Sequence, residues 1–273
     1  MKILTANIAY GFAGMDNFVS SVRHQLAIHG WGILAYEFFP PLRGKTAVVS
    51  ETKRVAYVKA HKNLEMTFDM IKRYQPDVLV LNEVIYELYR DQMEQELKKE
   101  GFKSIAWGVS THYNGTSIST LIATKQPGTA IPCTMPQRPS MGGGAGMAGI
   151  RLKERQLSIL GMHLTYRSPT LFKRQIKYIV EIAVAEKALG NNIVLAGDWN
   201  ESESAIFANP EFKTLDVVAG NSPEKLTCPT FFPQRLRKPL DHIFIPSHWK
   251  TTRSETIAFG SDHLALLEEV IPE

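Results

Sequence analysis

The feature that most constrains this chain is the way its short apolar runs end. Val78-Leu79-Val80-Leu81 gives way to Asn82-Glu83, Leu157–Met162 to His163, and Ile193–Ala196 to Gly197-Asp198-Trp199-Asn200. Later, Gly260-Ser261-Asp262-His263 precedes the apolar stretch Leu264–Val270. The first run, Lys2–Ile8, carries Asn7 on the face it shares with Ile3 and Thr5 at period two. Runs this short and rich in Ile, Val and Leu read as strands. One polar residue after one strand is ordinary turn or cap chemistry. Five such junctions drawn from Asn, Glu, His and Asp are not, because neighbouring strand ends bring their side chains into one cleft on a rigid support. Asp198 and Asn200 are two apart, which in extended chain sends both side chains to one side.

Helical patterns alternate with these runs. Ser168 can cap a helix with Pro169 in its first turn and Gly190 past its end, and Leu171, Ile176, Ile179, Val180, Ala183 and Val184 form its apolar stripe. A second helix runs through Leu64, Phe68 and Ile71 and stops before Pro76. A third spans about Tyr86 to Glu100, with Lys98 and Lys99 near its end and Gly101 beyond. A fourth is expected from Asp16 to His29-Gly30. Strands alternating with helices imply an α/β core.

Composition narrows the function classes. The chain has 273 residues, 44% hydrophobic and 21% charged, which fits a globular protein with a sizeable core, and no repeat or low-complexity linker divides it, so residues 1–273 read as one domain. No stretch nears the roughly 20 apolar residues of a membrane span. Asn7 interrupts the first apolar run too early for a secretory leader. A net charge of +4 suits a phosphate-bearing substrate and falls short of a polybasic binder. Cys133 and Cys228 lie far apart without a Cys-x-x-Cys, which argues against a zinc knuckle or disulfide framework and makes the cytoplasm the expected compartment. No obligate protein partner is evident.

The series Thr5-Ala6-Asn7-Ile8, Leu81-Asn82-Glu83-Val84, Gly161-Met162-His163-Leu164, Gly197-Asp198-Trp199-Asn200, Leu240-Asp241-His242-Ile243 and Ser261-Asp262-His263 resembles the endonuclease/exonuclease/phosphatase superfamily, in the right order over nearly the whole chain. The resemblance implies a four-layered α/β sandwich, two mixed β-sheets packed face to face with helices outside, and a site at one edge. Two departures stand out. Asn82 occupies a place where the family usually has Gln, and Pro239-Leu240-Asp241-His242-Ile243 replaces a common Arg-Ile-Asp-Tyr-Ile.

What the resemblance implies for chemistry is a metal-dependent phosphoesterase. Mg²⁺ (or Mn²⁺) prefers hard oxygen ligands, often one or two carboxylates plus water. Glu83 is the first expected ligand, with Asn7 beside it and Asp262 completing the shell. Asp198 orients or deprotonates the attacking water, Asn200 bonds a phosphate oxygen, His163 and His263 flank the phosphate, and Asp241 orients His263. Whether Asp198 or His263 is the base stays open. Thr230 is expected to reach the cleft or to serve as a structural hydroxyl, and Arg235 and Arg237, with Lys238, to form a basic rim or a solvated loop.

Other signals are discounted. Gly142–Gly149 contains a literal G-x-G-x-x-G, but without the strand before it and helix after it that a dinucleotide site needs, it reads as a flexible connection with close backbone approach. His24, His29, His61, His112 and His248 are expected at the surface or in helix packing, and Met135, Met141 and Met147 as gap fillers or loop contacts. The aromatic stretch Trp31–Pro41 reads as core, as a stacking wall for bases, or as an interfacial anchor. The leading expectation is a phosphodiesterase acting on nucleic acid, as a nuclease or repair enzyme. The alternatives are a phosphodiesterase or phosphatase of lipid head groups or small phosphorylated metabolites, and a non-catalytic binding module with the same fold.

Overall fold

The strand pattern resolves into two sheets whose inner faces meet. The computed structural model describes residues 1–8, 64–113, 116–136, 146–165, 168–220, 226–228, 238–261 and 263–273. The expected Asp16–His29 helix and the 31–41 aromatic stretch lie outside them. The strands are β1 (Lys2–Asn7), β2 (Val78–Ile85), β3 (Ser104–Tyr113), β4 (Thr116–Thr124), β5 (Thr129–Ala130), β6 (Gly146–Leu152), β7 (Leu157–His163), β8 (Asn192–Asp198), β9 (Val217–Ala219), β10 (Asp241–Pro246), β11 (Lys250–Ile257) and β12 (Ala265–Ile271). The helices are α1 (Leu64–Tyr74), α2 (Tyr86–Lys99), α3 (Pro169–Ala188), α4 (Glu203–Phe207) and α5 (Pro210–Lys213). One six-stranded sheet runs β11-β12-β1-β2-β4-β3 and the other β5-β6-β7-β8-β10-β9.

Each sheet is built around one parallel pair, β1 with β2 and β7 with β8, flanked by antiparallel neighbours. Parallel neighbours require a crossover, and α1 and α3 lie in those connections. Alternation along the central strands sorts their side chains into layers. Ile3, Val78, Val80, Ile159, Val194, Ala196, Ile243 and Ile245 fill the space between the sheets. Leu4, Ala6, Leu79 and Leu81 face α1 and α2 on one outside, while Leu160, Met162, Ile193, Leu195 and Phe244 face α3 on the other. The result is the four-layered α/β sandwich.

The end signals of α3 act as read, while Val184, placed in its apolar stripe, is 48% exposed. Ser168 Oγ accepts the Leu171 N–H at 3.3 Å, Pro169 opens α3, and Gly190 ends it at φ 85°. The β3–β4 hairpin and β11 carry no long apolar run, so periodicity alone does not reveal them. On β4, Ser117, Thr120 and Thr124 are buried because each hydroxyl finds a partner: Glu87 Oε1 at 2.6 Å, Gly146 O at 3.2 Å and Gln126 O at 2.8 Å. The glycine tract corrects the sequence reading in part. From Gly146 onward it is strand, not a flexible connection. A Cβ on Gly108 would sit 2.0 Å from Met147 O, and one on Gly146 2.7 Å from Gly108 O, so the glycines let the two sheets touch backbone to backbone. Met135 and Met147 are buried core residues, and His248 is exposed.

Candidate active site

Register decides which strand ends meet. In the first sheet Asn7 pairs with Asn82 across the parallel β1–β2 ladder; in the second His163 pairs with Asp198 across β7–β8. Antiparallel β10 sets Asp241 opposite the same Asp198. All five follow the inward parity of their strands, so the C-terminal ends of the two parallel pairs, joined by the start of β10, face one another at one rim.

Two site residues break parity. Glu83 would point outward with Leu79 and Leu81, but it adopts φ 58° where the β2–β4 register shifts between Leu81 and Val84. That bulge turns its carboxylate inward, to 3.7 Å from His163 Nε2. The sequence placed Glu83 beyond its strand; it lies within β2. Asn200 sits at φ 53°, so the expectation of extended chain from Asp198 to Asn200 is corrected. The chain turns there instead, a conformation Asn tolerates. The Asn200 N–H donates to Asp198 Oδ1 at 2.9 Å and its Nδ2 to Leu164 O at 2.8 Å. Gly197, at φ 145°, has no room for a side chain, since a Cβ would lie 2.0 Å from Met162 O.

Asp198 is the hub. Asn7 Nδ2 donates to its Oδ2 at 2.9 Å, and the imidazoles of His163 and His263 stand 3.7 and 3.9 Å from the same oxygen. His263 Nδ1 meets Asp241 Oδ2 at 2.7 Å, the orienting contact expected of that carboxylate. Ser261 Oγ donates to Asn7 O at 2.6 Å and accepts the His263 N–H at 3.2 Å, which ties this turn to the end of β1. Asp262 itself lies outside the described residues, as do Thr230, Arg235 and Arg237.

Burial gives these groups unequal electrostatics. Desolvation lowers His163 below the ordinary imidazole value, against the pull of Asp198 and Asp241. Desolvation also opposes charge on His263, but Cys228, Asp241 and Asp198 outweigh it and hold its imidazolium well above the ordinary value. Asp241 is raised by burial first, against the attraction of His263.

The residues present fit a hard divalent cation. Ligand atoms of Asp198, Asp241 and His263 lie within 4.8 Å of one another, and among the described residues Asp241 Oδ1 is buried with no hydrogen-bond partner. Among the described residues no lysine or arginine pairs with Asp198 or Asp241. Glu83 is the carboxylate in this group that reaches solvent, its side chain 18% exposed against 1% for Asp198.

Four residues that sequence reasoning passed over complete the arrangement. Asn82, read only as a departure from the family pattern, is fully buried and bonded on both sheets. Thr227, three residues from the Thr230 singled out, accepts the N–H groups of Leu240 and Asp241 at 3.2 Å each, and its carbonyl takes Leu264 N–H at 2.9 Å. His242 Nε2 lies 2.9 Å from Glu201 O, stacked on Phe244, and Ser261 forms the tie described above. None of the four carries a signal beyond its place beside a motif.

The fold and rim define an α/β sandwich protein with carboxylates and imidazoles gathered at the ends of its central strands. Residues 60–263 match the Endonuclease/Exonuclease/phosphatase family, and the chain belongs to it. A comparison with curated proteins finds no match. Among solved structures, an endonuclease/exonuclease/phosphatase family protein from Leptotrichia buccalis is similar at 16% identity and a TM-score of 0.62, with 99% of each chain covered. ANGEL2, a 2',3'-cyclic phosphatase, is similar at 15% identity and a TM-score of 0.62, over 98% of this chain and 94% of that one. TDP2 of D. rerio, complexed with a single-strand DNA product, is similar at 14% identity and a TM-score of 0.60, over 100% and 99%. At these identities the likeness is one of fold. Among the described residues no helix is long and apolar enough to cross a membrane.

Proposed function

We propose that this protein is a divalent-metal-dependent phosphodiesterase acting on nucleic acid. The observation that carries the reading is the convergence of Asn7, Glu83, His163, Asp198, Asp241 and His263 at one rim, from strands of both sheets. Glu83, with Asn7 and Asp262, would hold the cation. When bound, Mg²⁺ or Mn²⁺ would neutralise phosphoryl oxygens and polarise the phosphorus. The chain's own groups supply the rest. Asp198, held by Asn7 and the Asn200 N–H, takes the proton of the attacking water. His263, whose imidazolium Cys228, Asp241 and Asp198 favour against desolvation, stabilises the negative charge that develops on the phosphoryl group. His163 flanks the phosphate, Asn200 bonds one of its oxygens, and Thr230, Arg235 and Arg237 contribute to substrate binding.

A groove beside the site favours a nucleic-acid strand over a small phosphoester. It encloses about 590 Å³, and its lining includes Thr165 and Glu201, next in sequence to Leu164 and Asn200. Phe172, Lys173, Arg174 and Lys177 of α3 line it, as do Glu201 and Glu211. Cations spaced along a groove suit successive backbone phosphates, and a ring among them suits a base. The DNA product bound to D. rerio TDP2, a protein of similar fold, supports the same substrate class. A cytoplasmic setting, where thiols stay reduced, belongs to the same reading.

The test is a substrate panel with Mg²⁺ and Mn²⁺: DNA, RNA, abasic DNA, sphingomyelin and inositol phosphates. Cleavage of nucleic acid that EDTA abolishes and Glu83→Ala removes is the expected result. Release of phosphocholine or inorganic phosphate without any nucleic-acid cleavage would transfer the site to lipid or metabolite chemistry.

A further inference from the structure

Asn82 is wholly buried, and all of its amide group is engaged. Nδ2 donates to Thr120 Oγ1 and to Met162 O, each at 3.0 Å, while Oδ1 accepts the Asp198 N–H at 3.0 Å. A flipped amide would set oxygen against the Met162 carbonyl and NH₂ against the Asp198 N–H, so the orientation is fixed by its partners. Thr120 Oγ1 donates onward to Gly146 O at 3.2 Å, which extends the chain of bonds to the start of β6.

These bonds cross the gap between the sheets. Asn82 and Thr120 belong to the sheet that carries Glu83; Met162 and Asp198 belong to the other. Met162 O is also the atom against which Gly197 packs so closely that no Cβ fits. One residue after Asn82 the backbone turns to φ 58° and delivers Glu83; at the far end of its hydrogen bond the backbone delivers Asp198. Asn7 holds the Asp198 carboxylate oxygen, whereas Asn82 holds the main chain from which that carboxylate springs.

We propose that Asn82 is a positioning residue that sets the separation of Glu83 and Asp198 across the two sheets without touching substrate. The inference rests on the hydrolase reading above and adds to it a residue whose effect passes entirely through those two carboxylates. Carboxylates supported by a buried amide keep their mutual placement as the site loads and turns over, and losing such support typically costs about 10- to 100-fold in metal affinity or activity.

The experiment compares the full-length protein with Asn82→Ala, Asn82→Gln and Ser158→Ala. Ser158 loses a buried hydrogen bond on β7 far from the rim, where its Oγ meets Glu186 Oε2 at 2.7 Å. Three quantities are read: Tm, Mn²⁺ binding by calorimetry, and kcat and KM for bis(4-nitrophenyl) phosphate. Asn82→Ala is expected to lower kcat and Mn²⁺ affinity about 10- to 100-fold, with KM changed less than about threefold. Asn82→Gln, which restores the amide, is expected to recover about tenfold of that loss. Ser158→Ala is expected to lower Tm while leaving kcat and Mn²⁺ affinity within about twofold. If Asn82→Ala does not fold, Asn82→Ser carries the same split. Wild-type kcat and Mn²⁺ affinity in Asn82→Ala, or an equal loss in Ser158→Ala, overturns the proposal. If the wild-type chain hydrolyses no phosphodiester, the hydrolase reading fails, and the Mn²⁺ comparison still decides the role of Asn82.

Discussion

Strand β7 carries two buried polar clusters, and they are built on opposite principles. At its first end Ser158 faces outward to Glu186 on α3. That carboxylate receives Arg151 Nε at 2.7 Å, Arg151 Nη2, Ser158 Oγ at 2.7 Å and Asn191 Nδ2 at 3.2 Å. At its last end His163 faces inward to Glu83 and Asp198, with His263 and Asp241 behind. The first cluster balances one negative charge against one guanidinium and enough donors. The second gathers carboxylates and imidazoles, and among the described residues Asp241 Oδ1 meets no hydrogen-bond partner. Arg151 first, then Ser158 and Asn191, hold Glu186 below the ordinary carboxylate range, whereas burial lifts Asp241 above it. The balanced cluster fastens a helix to a sheet. The unbalanced one, in which no described lysine or arginine pairs with Asp198 or Asp241, is what a site needs if it is to take up a cation.

The sharpest way to break this contrast is Asp198→Asn. It removes charge from the unbalanced cluster with almost no change of volume. Activity is expected to fall by roughly 10³-fold or more, because the proton acceptor is gone. Stability is expected to change by less than about 2 kcal/mol, because relief of repulsion from neighbouring carboxylates is offset by the loss of one of the hydrogen bonds from Asn7 Nδ2 and the Asn200 N–H. Calorimetric Tm in EDTA alongside kcat reads both. A marked loss of Tm with activity retained would make the rim a structural network.

The mirror-image change is Arg151→Ala. Leaving Glu186 buried without its guanidinium is expected to cost about 3 kcal/mol, the low end for a broken buried pair because the Arg151 side chain is partly exposed. Urea unfolding measures this, and kcat of the folded fraction is expected to stay near wild type. A large fall in kcat at unchanged stability would show that the two ends of β7 are coupled.

Acidity separates the clusters by sign. Glu186 has a depressed folded-state value, so its contribution is complete above the ordinary glutamate value of roughly 4.3 and is lost as pH falls through the folded one. His263 is raised, so its contribution is complete below the ordinary imidazole value of roughly 6.5 and is lost as pH rises through the folded one. Stability curves in EDTA for Glu186→Gln and His263→Ala are therefore expected to converge on wild type at opposite ends of the pH range. Convergence at the same end would contradict the charge assignments.

What the sequence made legible follows from the same contrast. The central strands are continuous apolar runs buried on both faces, so both their existence and their polar ends, Asn7, His163 and Asp198, stand out. The β3–β4 hairpin does not, because its buried hydroxyls on Ser117, Thr120 and Thr124 look like surface until their partners are known. The backbone of Glu83 and Asn200 escaped the sequence reading, since a bulge and a left-handed turn leave no periodic trace. Asn82 and Thr227 escaped because each acts through main-chain N–H groups remote in sequence. The Arg151–Glu186 pair escaped for a similar reason, its charges lying on a strand and a helix 35 residues apart.

The smallest expected effect tests whether the unbalanced rim extends into the adjoining groove. Lys173 and Lys177 are exposed, line that groove one helical turn apart, and take no part in the rim cluster. If a strand lies there, the double change Lys173→Ala, Lys177→Ala removes up to two phosphate contacts. The slope of log(kcat/KM) against log[salt] on an oligonucleotide should then shrink by about one to two. At fixed low salt KM for the oligonucleotide should rise several-fold, roughly 1 kcal/mol, while bis(4-nitrophenyl) phosphate, too short to reach the groove, is turned over as before. An unchanged salt slope would confine substrate recognition to the rim itself. A loss on the small diester as well would mean that α3 supports the site rather than extending it, since a helix that only guides the strand has no purchase on a substrate lacking one.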